Sequence, residues 1–354
     1  MKKGLLIGLM CLVAGFMRAQ TVQEDELALV YYMPQTQLVF DIEYDEIVLH
    51  KGPFADYAKQ YLGATEVITE DARSFKLTGV KSRAKAVADM TRTYKVIAEN
   101  GAEMQLLDLT PIGTLRGYNV SMDCKPMNHH RPVPPMPEPQ KPLPVMPLLE
   151  ENIVGKTVAQ QAQGAAKLIY RIRENRMYLL GGEVDHAPAD GKAMELLLNE
   201  MNNQERQLVE LFIGSREVIK HRKTVTYTPV KTEEVELCLF SDKDGIVTEG
   251  GEPVTLQLIA HRQTRGAARN DKKKDKKAPQ PSQIYYNLPG SANYKVVFLN
   301  ETMEERSAVI AQFGVSVPLA KDLFNQKPLP QIVFDIESGN VKSISKKDNE
   351  CAKK

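Results

Sequence analysis

The sequence predicts an α+β fold, with two β-rich modules flanking a central antiparallel helical hairpin. Three observations carry that reading. Along Leu38, Phe40, Ile42 and Tyr44 apolar residues recur at every second position, the period of a strand. Between residues 156 and 212 the apolar period changes to that of a helix, and glycines stand at the ends of the two stretches. Between the first strands and those helices, residues 126–147 hold nine prolines in 22 residues, a composition that neither a sheet nor a helix accommodates.

The N-terminus reads as a removable address. Lys2 and Lys3 precede an apolar run of 13 residues, 4–16, too short to span a bilayer as a helix. Ala19-Gln20 offers a cleavage point, although Met17 is larger than the residue usually found there. Cys11 follows Met10, which does not suit a lipoprotein signal. Residues 1–19 are therefore expected to be a signal peptide, and the protein to be exported, to the periplasm or in association with the outer membrane. No other apolar run approaches membrane length, so the mature chain is expected to carry no transmembrane span.

The first β-rich module covers residues 20–123. Residues 27–33 and 37–49 read as strands separated by a break at Pro34-Gln35. Asp41, Glu43 and Asp45 fall opposite the apolar face and are expected to be solvated. Residues 52–63 read as a short amphipathic helix: Pro53 suits its start, Phe54, Tyr57, Ala58, Tyr61 and Leu62 share one face, and Gly63 ends it. Residues 65–68, 74–81, 93–99 and 104–109 are expected strands. Residues 124–149 form the Pro-rich linker.

The helical hairpin covers residues 150–214. Val158, Ala162, Ala165, Ile169, Ile172 and Leu179 make one stripe, stopped by Gly181-Gly182. Asp190 suits the cap of a second helix, whose stripe is Met194, Leu197, Leu198, Met201, Leu208, Val209 and Phe212. The short connection predicts antiparallel packing. The second β-rich module covers residues 215–345. Its expected strands are 218–227, 235–240, 254–261, 283–287, 294–299, 307–312 and 331–336, with turn signals at Asp244-Gly245 and Gly250-Gly251. A Lys-rich loop occupies 265–277, and 346–354 is a polar tail. Tyr32-Met33-Pro34-Gln35-Thr36 and Tyr286-Asn287-Leu288-Pro289-Gly290-Ser291 echo one another; duplication and coincidence both stay open.

Composition narrows the function. Forty-six Lys and Arg balance 45 Asp and Glu, which argues against a nucleic-acid partner. Cys124, Cys238 and Cys351 remain after the signal, an odd number that permits one internal disulfide at most. With no CxxC, HExxH, GxSxG or phosphate-binding loop, no catalytic residue, metal ligand or cofactor is assigned. The densest charged cluster is Arg171, Arg173, Glu174 and Arg176. Arg171 and Glu174 are spaced to pair on the helix surface. Arg176 sits on the apolar stripe, where Glu195 or Glu200 of the second helix is expected opposite it. That cluster reads either as an anion site or, more economically, as a part-buried ion pair fixing the hairpin's register. The carboxylates Asp41, Glu43 and Asp45, near His50, lack the wrapping loop that calcium needs. His129-His130 and Asp185-His186 are isolated pairs on expected loops.

Four segments resemble a family of exported proteins of Bacteroidetes-type envelopes, an uncharacterised domain-of-unknown-function family. They are Tyr31-Tyr32-Met33-Pro34 with Thr36, the helix from Gly52-Pro53-Phe54 to Leu62-Gly63, the run from Tyr170-Arg171-Ile172-Arg173-Glu174-Asn175-Arg176 to Pro188-Ala189-Asp190-Gly191, and Ala311-Gln312-Phe313-Gly314. The resemblance implies export and one recurring architecture, and it brings no activity with it. The expected role is a non-enzymatic scaffold or assembly component of the cell envelope, acting through an envelope protein partner. The alternatives are a module binding an envelope glycan or peptidoglycan fragment, and a hydrolase with a carboxylate site that has no local signature.

Overall fold

A computed structural model describes residues 28–97, 106–120, 156–183, 191–263, 283–324 and 328–345. The signal segment, the Pro-rich linker, the Lys-rich loop, the polar tail, Asp190, both histidine pairs, Cys124 and Cys351 lie outside the described residues.

The strand β1 (Ala28–His50) runs for 23 residues without the break expected at Pro34. It pairs antiparallel along its length with β2 (Ala72–Ile97). Proline lacks an amide donor and is tolerated where a strand has a free edge. Pro34 lies on such a stretch, because the second neighbour of β1, β5 (Ser215–Tyr227), begins pairing only at Leu38. Between them, residues 55–62 make a 3₁₀ turn and the short helix α1 (Ala58–Leu62), ended by Gly63 at φ 66°. Residues 65–68, expected as a strand, form none. β3 (Leu107–Leu109) and β4 (Leu115–Tyr118) follow.

The helical hairpin is α2 (Val158–Gly181) and α3 (Gly191–Ile213). Thr157 and Gln160 form a reciprocal capping box at the start of α2, and Gly182 ends it at φ 74°. The later strands are β6 (Glu233–Ser241), β7 (Gly245–Val247), β8 (Glu252–His261), β9 (Tyr285–Phe298), β10 (Glu301–Pro318), β11 (Gln331–Phe334) and β12 (Val341–Ser345). Like β1, β9 passes straight through its proline, Pro289, where two strands were expected. The echoed segments therefore both lie inside long hairpin strands, and each hairpin carries a register shift near its proline, between Tyr32 and Met33 and between Ile310 and Val315.

The two β-rich modules expected on either side of the hairpin do not form separate sheets. The sheet β2-β1-β5 joins strands from before and after the helices, and so does β12-β11-β4-β3. The first packs face to face on a third sheet, β10-β9-β8-β6-β7. Leu38, Phe40, Ile42 and Phe75 meet Val254, Leu256, Val296 and Phe313 in the core between them. Each such side chain contributes about 1.5–3 kcal/mol when fully buried. The sheet β12-β11-β4-β3 covers the other end of β1, where Tyr31 and Met33 meet Leu115, Tyr118, Ile332 and Phe334.

Candidate functional site

Among the described residues, the hairpin packs on the rest of the chain at one end, against the segment that holds Phe54 and Ala58. Ala162, Ala165, Ala166 and Ile169 of α2 pack with Leu208 and Phe212 of α3 around Phe54 and Ala58. The Tyr170 hydroxyl donates to the Tyr61 carbonyl at 2.8 Å, and the Phe54 amide to the Leu211 carbonyl at 2.8 Å. At 1.5 Å per residue a 24-residue helix is about 36 Å long, so roughly half of it projects beyond these anchors. Among the described residues of the projecting part only Leu179 is buried. The tip exposes Met177 by 72%, Leu180 by 66% and Leu196 by 72%, with Tyr178 and Leu197 also exposed. Val158, assigned to the buried stripe by its spacing, is exposed as well, because it lies in the first turn beyond the reach of α3.

Charge holds the projecting helices together. Arg173 Nε donates to Glu205 Oε1 at 2.6 Å, and Arg176 Nη1 lies 2.6 Å from Glu205 Oε2. Arg176 also donates to Asn202 Oδ1 at 2.6 Å. The partner of Arg176 is thus Glu205 rather than Glu195 or Glu200, a full helical turn or more along α3. Burial works to raise the pKa of Glu205, but hydrogen bonds from the two arginines outweigh it and hold the carboxyl below its ordinary value. Arg171 is exposed and makes no ion pair with Glu174, which instead accepts from the Tyr178 hydroxyl at 3.2 Å. With both arginines committed to Glu205, the cluster fits a register lock better than an anion site.

The acidic face of β1 is not the solvated surface its alternation predicts. Asp41 is buried, ion-paired with Arg83 of β2 and accepting from Thr224 of β5. Glu43 accepts from Lys81 and from Arg222, each at 2.8 Å. These bonds, the one from Lys81 first, keep its pKa low despite partial burial. On the opposite face, Glu46 is bonded to His221 at 2.7 Å and Arg73 at 2.6 Å; these bonds overcome the upward push of burial. Around Glu43 and Asp45, Lys81, Lys220, His221 and Arg222 line a cavity of about 390 Å³. A carboxylate held low is a poor proton donor at neutral pH, so Glu43 serves here as an anionic acceptor between two cations. Among the described residues no three His, Cys, Asp or Glu side chains converge to hold a metal. No described helix is long and apolar enough to cross a membrane.

A second polar centre escaped the sequence. Asn287 is fully buried and donates through Nδ2 to the carbonyls of Ala311 and Ser338, both at 2.8 Å. Arg92, paired with Asp89 at 2.7 Å, donates to the Pro34 carbonyl at 2.7 Å. The Gln312 amide meets the backbone of Thr36. The residues that form it come from β1, β2, β9, β10 and the turn at 335–340, so no local spacing announces it. Three of the tyrosines are taken up by one another: Tyr31, Tyr94 and Tyr285 stack at centroid distances of 5.6 and 5.0 Å.

The four segments singled out in the sequence meet in two pairs. Thr36 and Gln312 join the first and last, and Tyr61 and Tyr170 join the two between. A family model described as domain of unknown function (DUF4831) matches residues 28–342, which include all four. No curated protein and no solved structure matches the chain.

Proposed function

We propose that this chain, which belongs to the DUF4831 family of unknown function, is an exported cell-envelope protein that works as a scaffold or assembly component through contacts with other proteins. The observation that carries the reading is the projecting hairpin, whose tip holds Met177, Leu180, Leu196 and Leu197 in water. Exposed apolar clusters on otherwise polar surfaces mark interaction sites. Holding them at the end of an arm stiffened by Glu205 serves contact with a partner rather than packing within the chain. Export rests on Lys2, Lys3 and the apolar run that follows them.

The test is affinity capture of tagged protein from gently solubilised envelope, with quantitative mass spectrometry. A parallel capture uses the triple variant Met177→Ser, Leu180→Ser, Leu196→Ser. One or two proteins recovered in stoichiometric amounts with the wild type and lost with the variant would support the role. Equal recovery with both, or recovery of the bait alone, would overturn it.

A further inference from the structure

α2 and α3 together shape a groove for a third helix, and among the described residues only its lower half is filled. Ala162, Ala166, Tyr170, Arg173, Met177 and Leu180 follow one another along α2 at steps of four or three residues and so form one stripe. Leu208, Gln204, Met201 and Leu197 do the same along α3. At the base, residues 55–62 occupy the groove: Ala162, Ala166 and Leu208 are buried in one cluster with Phe54 and Ala58. The Tyr170 hydroxyl, bonded to the Tyr61 carbonyl, marks the top of that contact, and Gly63 ends the helix at φ 66°. Above Tyr170 the stripe of α2 continues to Leu180, about 15 Å or three helical turns further on. There Met177 is exposed by 72% and Leu180 by 66%, and Leu197, on the stripe of α3, by 38%.

We propose that the upper half of this groove docks an amphipathic α-helix of another protein, about three turns long, with Lys or Arg on both flanks of its apolar stripe. The inference rests on the protein-contact reading of the arm and names the chemistry of the partner. That the occupant is a helix follows from continuity: α1 already lies in the lower part of the same groove, and a helix set end to end above it completes a three-helix bundle. Its charge follows from the rims. Glu174 adjoins Tyr170 and Met177 on the outer flank of α2, and Glu200 adjoins Leu197 and Gln204 on the outer flank of α3. Each accepts only from a neutral neighbour among the described residues, Glu174 from the Tyr178 hydroxyl and Glu200 from the Gln204 amide at 3.1 Å. The charges of Arg173 and Arg176 are already met by Glu205. Two acidic rims disfavour an anionic lipid surface, and a second copy docked arm to arm would set acid against acid.

The experiment is fluorescence anisotropy of a labelled Leu/Lys peptide of about 14 residues, with leucines at helical spacing, titrated with the mature chain. Two further peptides serve as references: a Leu/Glu counterpart, and a scrambled Leu/Lys peptide without helical period. The expected result is that the Leu/Lys helix binds at least tenfold tighter than either. Met177→Ser/Leu180→Ser should weaken it at least tenfold, and Glu174→Gln/Glu200→Gln at least threefold, with unchanged circular dichroism of each variant. Met90→Ser, which removes a side chain exposed by 68% on β2, should leave binding as it was. Equal binding of the three peptides, or binding that survives Met177→Ser/Leu180→Ser, would overturn the proposal. So would an arm that, through Met177 and Leu180, pairs with a second copy in sedimentation or holds vesicles of phosphatidylethanolamine and phosphatidylglycerol. If the helical peptide does not bind while envelope capture still depends on the arm, helix docking falls and the protein-contact reading stands; if the capture fails as well, both fall.

Discussion

Gln312 occupies the place of a neighbouring strand for Thr36. Its Nε2 donates to the Thr36 carbonyl at 2.9 Å, while its Oε1 accepts from the Thr36 amide at 2.8 Å. Nε2 also reaches the Pro229 carbonyl at 2.9 Å. One side chain thereby closes the free edge of β1 just before β5 takes over at Leu38. Gln312→Glu keeps the shape and removes both donors, setting a carboxylate against two carbonyls. The expected loss is about 2–3 kcal/mol of folding stability, read as a lower urea midpoint with an unchanged slope.

The lock on the hairpin predicts an order of effects. Glu205 has two arginine partners, so Arg176→Ala leaves it one, whereas Glu205→Ala leaves two cations side by side. These are part-exposed groups, and the single removal is expected to cost about 1 kcal/mol. Glu205→Ala should cost more, and hydrogen exchange should show the gain in opening within residues 173–181 and 191–205. Equal protection in the two variants would show that the arm does not depend on Glu205.

Acid should weaken the fold through the paired carboxylates. Glu43, Glu46, Asp89 and Glu205 all have folded pKa values below their ordinary ones. The unfolded chain then binds more protons than the folded one as pH falls through the ordinary carboxylate range, so stability rises with pH there. Their contribution is complete above that range and lost as pH drops through the lower folded values. Glu46→Gln should flatten this dependence while leaving His221 and Arg73 in place. Melting temperatures compared at pH 7, 5, 4 and 3 measure it.

Cys238 should be inert while the protein is folded. Burial, and secondarily the Glu236 carboxylate, push its thiol up to about 11. At pH 8 the reactive thiolate is therefore scarce. Its modification by a chromogenic disulfide, followed in a Cys124→Ser/Cys351→Ser background, should be slow in buffer and rapid in denaturant. Fast reaction in buffer would contradict the raised pKa and the half-buried placement of this thiol.

Helices were more legible than strands because their signals are local. Gly182 and the stripe from Ala162 to Leu179 lie within one stretch of chain, and the hairpin stands where they put it. The middle of β2 was invisible: Ser82-Arg83-Ala84-Lys85-Ala86 has little strand preference of its own and is extended because β1 pairs with it. Pro34 and Pro289 looked like breaks because proline removes a donor, which matters only where a neighbouring strand needs it. The acids of β1 looked solvated because Arg83, Arg222 and Thr224 are distant in sequence. Glu205 was missed for a related reason, since the crossing of two helices sets which residues come level. The alternation that placed Leu38, Phe40 and Ile42 in the core was correct, being decided by their own sequence.

The threading of β5 beside β1 has a kinetic consequence. Synthesis delivers β1 first, yet the strand that completes its sheet lies beyond the whole hairpin, with Leu38 waiting for Tyr227. β4 likewise awaits β11, Tyr118 pairing with Ile332. Contacts so remote in sequence slow folding, because chain entropy must be spent before they form. A nascent chain stopped before residue 330 lacks Ile332 and Phe334, the last buried members of the core that holds Tyr118 and the start of β1. Such a protein commits to its structure late, nearly all at once, when its last strands arrive.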